Sequence, residues 1–264
     1  MFILGTYKKK SHVHNTDRCL FMQRPKFLHV MLQGCTKARL KTMKSPQTLD
    51  ELMLRCQALA GLTLGQLAAE LGTVVPNNLK QDKGWAGQLL EQGLGASAGS
   101  KAEPDFPELG VELKTLPIDS LGKPLESTYV CVAPLTGISQ QQWHDSWVCQ
   151  KLSKVLWLPL LAERSIPIAD RVIGSGFLWQ PDASEQQLLQ QDWEELMELI
   201  TLGGIDQIRG AHGQVLQLRP KAANSRALTA AVGADGQPIQ ALPRGFYLKS
   251  SFTQQLLRKA FGQS

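Results

Sequence analysis

Between Pro104 and Thr115 the chain reads Pro-Asp-Phe-Pro-Glu-Leu-Gly-Val-Glu-Leu-Lys-Thr, which sets two carboxylates and an ammonium within reach of one another. From Val111 the residues alternate apolar and polar through Thr115, the period of a half-buried strand. Glu112 and Lys114 then share one face, with side chains roughly 7 Å apart along the strand. Pro104, Pro107 and Gly110 make residues 105–110 a turn that folds back on that strand, bringing Asp105 toward Glu112. A compact, negative, oxygen-rich site suits a hard divalent cation such as Mg2+, which keeps several of its waters and can supply one as a nucleophile. Lys114 beside that water would lower its pKa or stabilise charge building on phosphate oxygens. Taken alone the spacing is weak, because Asp followed at variable distance by Glu-x-Lys also arises by chance. An amphipathic strand with an exposed Glu–Lys pair fits the same residues.

The elements that must position this stretch are legible on either side of it. Thr48-Leu-Asp-Glu51 has capping-box spacing and opens a helix with Leu49, Leu52, Met53, Cys56 and Leu59 on one face. Thr63-Leu-Gly-Gln66 opens a second, running through Leu64, Leu67, Ala68 and Leu71 to Gly72. Residues 85–94 form a third, whose stripe is Trp85, Ala86, Leu89 and Leu90. Glu91 lies off that stripe, either as a solvated residue or as a third carboxylate facing the metal. The glycine-rich run 93–101 matches neither G-x-x-x-x-G-K-[ST] nor G-x-G-x-x-G, so it is read as a loop into the strand and not as a nucleotide site.

Downstream, 119–123 reads as a turn and 128–133 as a β-prone run, and together they predict an antiparallel partner for the Glu112 strand. Residues 147–154 predict a short helix carrying Lys151, and 155–160 a buried strand with Pro159 tolerated only at its end. Ser184-Glu-Gln-Gln187 is expected to cap a long helix through Leu188, Leu189, Trp193, Leu196, Met197 and Ile200, stopped by Gly203-Gly204. Its acids, Glu185, Asp192, Glu194, Glu195 and Glu198, are expected on a solvent face. A hairpin-like pair, 205–209 and 214–219 around Gly213, then delivers Arg219-Pro-Lys-Ala-Ala-Asn224. A strand at 245–248 follows Pro243-Arg244 and leads into a last helix with Phe252, Leu256, Leu257 and Phe261. Basic side chains on loops at strand ends suit phosphate and base-edge contacts, although an Arg-Pro-Lys is also common on protein surfaces.

Composition narrows the function classes. The 264 residues are those of a globular chain, and no apolar run is long enough to span a bilayer. The five cysteines, Cys19, Cys35, Cys56, Cys131 and Cys149, are odd in number and lack C-x-x-C spacing, which points to reduced thiols in the cytoplasm and away from zinc. The net charge of +5 is unevenly spread. Residues 1–43 carry nine Lys or Arg against Asp17 alone, so residues 44–264 are formally −3. Grip on a polyanion by the folded part must therefore come from local clusters and be salt-sensitive. Residues 1–43 show no useful periodicity and no signal-peptide pattern. They are expected to be a disordered basic extension ahead of a true start at Met43, the other reading being a basic arm that touches DNA.

Several strings in the remainder are long and chemically unusual: Gly84-Trp85, Leu94-Gly-Ala-Ser-Ala-Gly-Ser-Lys101, Asp105-Phe106, Leu109-Gly-Val-Glu-Leu-Lys114, Val130-Cys-Val-Ala-Pro-Leu-Thr-Gly137, Arg219-Pro-Lys-Ala-Ala-Asn224 and Leu242-Pro-Arg-Gly-Phe-Tyr-Leu248. They closely resemble the MutH family of mismatch-repair endonucleases, within the restriction-endonuclease-like PD-(D/E)xK superfamily. The similarity runs from about Thr48 to the last helix and does not include residues 1–43.

The resemblance implies an α/β, restriction-endonuclease-like fold over 44–264, with a central mixed β-sheet flanked by helices and two lobes around a DNA cleft. It implies a monomer that uses Mg2+ to nick the unmethylated strand at hemimethylated GATC sites, activated by the ATP-bound repair factor MutL. By position, Asp105 and Glu112 would hold the metal with the Leu113 carbonyl as a further ligand, Lys114 would assist the water, and Glu91 would complete the catalytic set. Lys83, Tyr129 and Lys151 match DNA-contacting cleft positions, Arg219 and Lys221 sit in the recognition loop, and Tyr247 matches the position that senses adenine methylation. Two alternatives remain open on sequence. A type II restriction endonuclease of GATC specificity would cut both strands and need two active sites, whereas this chain has one. A noncatalytic DNA-binding module of the same fold would have no use for Asp105, Glu112 and Lys114 together.

Overall fold

A computed structural model describes residues 44–79, 82, 84–99, 103–138, 140–221 and 226–262. The expectations for residues 1–43 and for Lys83 lie outside the described residues. The chain opens with α1 (Leu49–Leu59), capped by the Thr48 hydroxyl, which accepts from the Glu51 amide. It continues into α2 (Leu64–Leu71), whose Thr63 and Gln66 form the full capping box. Helix α3 (Trp85–Leu94) follows, closed by left-handed Gly95. The first two starts are legible in sequence because a hydroxyl at the N-cap satisfies an amide that has no partner inside the helix.

Strand β1 (Glu112–Ile118) pairs in parallel with β3 (Val155–Leu161), Glu112 opposite Val155 and Lys114 opposite Trp157. The crossover between them carries β2 (Thr128–Val132) and the short helix α4 (Trp147–Leu152). Strands β4 (Val172–Ile173) and β5 (Phe177–Trp179) pair antiparallel with β3 and complete a mixed four-stranded sheet. After α5 (Ala183–Thr201) come β6 (Leu216–Pro220), β7 (Thr229–Val232), β8 (Pro238–Ala241), β9 (Arg244–Leu248) and α6 (Ser250–Phe261). Strands β2, β9 and β6 form a second, antiparallel sheet, and β7–β8 a separate hairpin.

The mixed sheet lies between two apolar clusters, and β3 feeds both. Leu156, Leu158 and Leu160 face the cluster built with α1, α2 and α3. Val155 and Trp157 face the one built with α5, α6 and the second sheet. A strand buried on both faces reads as the continuous apolar run Val-Leu-Trp-Leu-Pro-Leu, and each such fully buried side chain stabilises the fold by about 1.5–3 kcal/mol.

The structure corrects four sequence expectations about strands and caps. The β-prone run predicted at 128–133 does not pair with β1; its strand, β2, joins β9 in the other sheet, because β1 takes β3 as its neighbour. Residues 205–209 form turns and not a strand, and β6 finds its partner in β9, with Leu218 opposite Phe246. The cap of α5 is Asp182, paired reciprocally with Glu185, while Ser184 only donates to Asp182. Pro159 sits inside β3, between Trp157, paired with Phe177 of β5, and Leu160, paired with Ile173 of β4. It is tolerated there because the two short partners leave a gap where an amide donor has no strand acceptor to meet.

Candidate active site

The turn before β1 is built as its prolines require. Residues Pro107–Leu109 form a single 3-10 turn closed by left-handed Gly110. The Phe106 and Val111 backbones bond to each other across it, at 2.9 and 3.2 Å. Phe106 is fully buried and anchors the turn, so Asp105 is delivered against β1, where its carboxylate accepts the Leu113 amide at 2.8 Å. The glycine-rich loop supports the same residue from behind, since the Ser97 amide donates to the Asp105 carbonyl at 3.1 Å. Lys154 ties the turn to the start of β3 by donating to the Leu109 carbonyl at 3.2 Å.

Glu112 is the most deeply placed acid of the group, 5 % exposed. One carboxylate oxygen meets Lys114 Nζ and the other Lys151 Nζ, each at 2.8 Å. Lys151 also donates to the Glu103 carbonyl at 3.0 Å, which bridges α4 to the segment leading into the turn. Glu91 on α3 lies within electrostatic range of Asp105, Glu112, Lys114 and Lys151; burial, then the Asp105 and Glu112 charges, push its carboxyl above the ordinary range. Burial and Glu112 push Asp105 up in the same way. Asp105, Glu112 and two lysines, from the turn, β1 and α4, therefore converge, and Glu91 on α3 lies within electrostatic range of them. Among the described residues no three or more His, Cys, Asp or Glu side chains form a ready-made metal cage. Both Glu112 oxygens are taken by ammonium groups, which stand where cationic charge is needed. Burial first, and the neighbouring acid charges after it, hold Glu91 and Asp105 above the ordinary carboxylate range, and the all-oxygen donor set has the hardness that Mg2+ prefers.

A second group lies beside the first. Tyr129 on β2 and Tyr247 on β9 are directly opposed and pack edge to face, ring centroids 5.3 Å apart. Gly245 makes room for them: a β-carbon there would lie 3.0 Å from the Tyr129 ring and 3.3 Å from the Tyr247 ring. The Lys221 ammonium sits over the Tyr129 ring, 3.2 Å from its centroid. The Arg219 guanidinium lies 5.7 Å from the Tyr247 centroid and donates to the Ser127 hydroxyl at 2.8 Å. Burial lowers Lys221, and the Lys114 charge adds to that, so the two groups share an electrostatic environment.

One residue lies within electrostatic range of both groups. Cys131, beside the irregularity in β2, is pushed up to about 12 by burial despite the nearby Lys114, Lys151 and Lys221. In sequence it is read as a reduced thiol, within one of the strings that resemble the family. Lys151, matched to a DNA-contacting position, meets the Glu112 carboxylate. Tyr129 is pushed up to about 12 by burial, so it presents a neutral phenol.

Comparison with known proteins bears directly on this arrangement. The family model described as "DNA mismatch repair enzyme MutH" matches residues 94–192, which include Asp105, Glu112, Lys114, Tyr129 and Lys151. Over 223 residues the chain is 59% identical to the DNA mismatch repair protein MutH of Shewanella sp. (strain ANA-3), covering 84% of this chain and 100% of that protein. It is 58% identical to the protein of the same name from Shewanella oneidensis, again covering 84% of this chain and 100% of the relative. For the Serratia proteamaculans protein the figures are 60% identity over 216 residues, 82% and 95%. Identity at that level over nearly the whole of each relative, joined to a clustered Asp-Glu-Lys set, shows that the chain belongs to the MutH family of DNA mismatch repair endonucleases.

Proposed function

We propose that this endonuclease is Mg2+-dependent, recognises hemimethylated GATC sites, nicks their unmethylated strand as a monomer in the cytoplasm, and is activated by ATP-bound MutL. The observation that carries the reading is the adjacency of the Asp105–Glu112–Lys114–Lys151–Glu91 cluster to the Tyr129–Tyr247 pair with its Arg219 and Lys221. The chain would form two lobes around a DNA cleft that both of these groups line. Asp105, Glu112 and the Leu113 carbonyl would hold the metal, whose role when bound is to polarise a phosphoryl oxygen and acidify a water. Lys114 and Lys151 serve twice, neutralising Glu112 in the free protein and supplying fixed positive charge next to the scissile phosphate. Glu91, whose carboxyl is held above the ordinary range by burial and by the neighbouring acids, would be a further acid of that site.

Recognition falls to the other group. Arg219 and Lys221 suit the O6 and N7 acceptors of guanine, and adenine N6 is a major-groove donor that a methyl group enlarges. A clash or lost bond against Tyr247 of about 1–3 kcal/mol discriminates roughly tenfold to a hundredfold between the two strands. Strand-resolved cleavage of a hemimethylated GATC duplex at low salt with Mg2+, with and without MutL and ATP, tests the reading. A nick confined to the unmethylated strand and increased by MutL is expected. Cutting of both strands, indifferent to MutL, would replace this reading with a restriction enzyme.

A further inference from the structure

The acids of α5 do not all face solvent. Asp192 is 2 % exposed and falls on the apolar stripe with Leu189, Trp193 and Leu196. Its carboxylate accepts the backbone amide of Gln214 at 2.7 Å on Oδ1, and those of Val215 and Leu216 at 2.6 and 2.7 Å on Oδ2. The neighbouring Glu195 accepts the Gly213 amide at 3.3 Å, so four successive amides point at α5. They lead directly into β6, the outer strand of its sheet, whose far end carries Arg219 and then Lys221. The other side of the same turn is fastened to α6: Lys249 Nζ donates to the Gly213 carbonyl at 2.5 Å, and the Lys249 amide to the Val215 carbonyl at 2.8 Å.

An edge strand held by one neighbour can slide along it, and a slip of one residue moves every side chain to the opposite face. For β6 that slip would remove Arg219 from Tyr247 and Ser127, and displace Lys221 from Tyr129. A buried carboxylate is expensive unless its lone pairs are used, and this one is used entirely on the backbone that starts the strand. We propose that Asp192 is a positioning residue for recognition: it pins the start of β6 so that the strand's other end presents Arg219 and Lys221 to DNA. The proposal rests on the reading of those two residues as DNA contacts.

A double-mutant cycle on the full chain separates this role from a merely structural one. Binding of a GATC-containing duplex is read by fluorescence anisotropy at fixed low salt for Arg219→Ala, Asp192→Asn and the pair. Arg219→Ala alone is expected to weaken binding about tenfold or more. In the Asp192→Asn background it is expected to weaken binding by less than about threefold, because the guanidinium is already displaced. A loss of folded fraction would leave the effect of Arg219→Ala unchanged, so effects that multiply independently would overturn the proposal. If Arg219→Ala has no effect in the otherwise unaltered protein, the DNA-contact reading fails and the proposal with it, a result distinct from independent effects. Should Asp192→Asn accumulate unfolded, Lys249→Met, which loosens the same turn from its other side, carries the cycle with the same outcomes.

Discussion

Replacing Glu112 or Glu91 by glutamine removes one charge from the same cluster, yet the two substitutions should move stability in opposite directions. The Glu112 side chain is 6 % exposed and meets lysines that are 13 % and 19 % exposed, both at 2.8 Å. Removing one partner of a buried pair leaves the other charge uncompensated, at a cost of about 3–5 kcal/mol. Asp105 and Glu91 remain nearby and recover part of that, so about 2 kcal/mol is expected for Glu112→Gln. For a chain of this size that is a fall of up to about 4–8 °C in Tm. Glu91 behaves otherwise because its carboxyl is raised by burial and by the Asp105 and Glu112 charges. A raised carboxyl binds its proton more tightly when folded, so its contribution is fully present below the ordinary value of 4.5 and lost as pH rises through the folded value. At about pH 7.5 the ionised Glu91 is therefore a burden, and Glu91→Gln should melt above the unsubstituted protein, the gain fading below about pH 4.5. Thermal unfolding in low salt without divalent ions measures both, and both variants should lose cleavage. A Glu112→Gln protein that melts at or above the parent temperature would refute the reasoning, because the lysines would then not depend on that carboxylate.

Other perturbations test other links. Tyr247→Ala should reduce the preference for the unmethylated strand by about tenfold to a hundredfold, read from strand-specific nicking rates on hemimethylated DNA. Lys221→Met should lower the slope of log affinity against log salt by about 1, measured by titration across a salt series. Gly203→Ala should lower stability by at least about 1 kcal/mol in denaturant melts. Gly203 has φ +72, and an added β-carbon would collide with the Gly233 carbonyl in the β7–β8 turn. Addition of Mg2+ to the folded protein should raise its Tm, and Glu112→Gln should remove that increment.

Much of the scaffold is readable because its signals are local. Thr48, Thr63 and the stripes of α1 to α3 act within one or two helical turns, where side-chain and backbone groups satisfy one another without regard to the rest of the chain. The Pro-Asp turn and the alternating Glu-x-Lys strand are legible for the same reason. The errors share a cause as well. The partner of 128–132, the fate of 205–209 and the place of Pro159 all depend on which strand lies alongside, and strand pairing joins residues far apart in sequence. Asp192 escapes the sequence reading because its neighbours Glu194, Glu195 and Glu198 outvote its position on the apolar stripe. Its spacing from Leu189 and Leu196 holds the correct reading.

By itself the sequence determined the chemistry on offer: two acids and a lysine at a turn and strand, basic residues at the end of a later strand, and strings specific enough to resemble one family. Only the tertiary structure decided how those residues share charge. Lys151, 39 positions from Glu112, meets its carboxylate at 2.8 Å. Lys221 lies on the Tyr129 ring, and Asp192 reaches the amides that start β6. Electrostatic and hydrogen-bond energies fall off over a few ångströms, so they depend on through-space distances that packing alone sets.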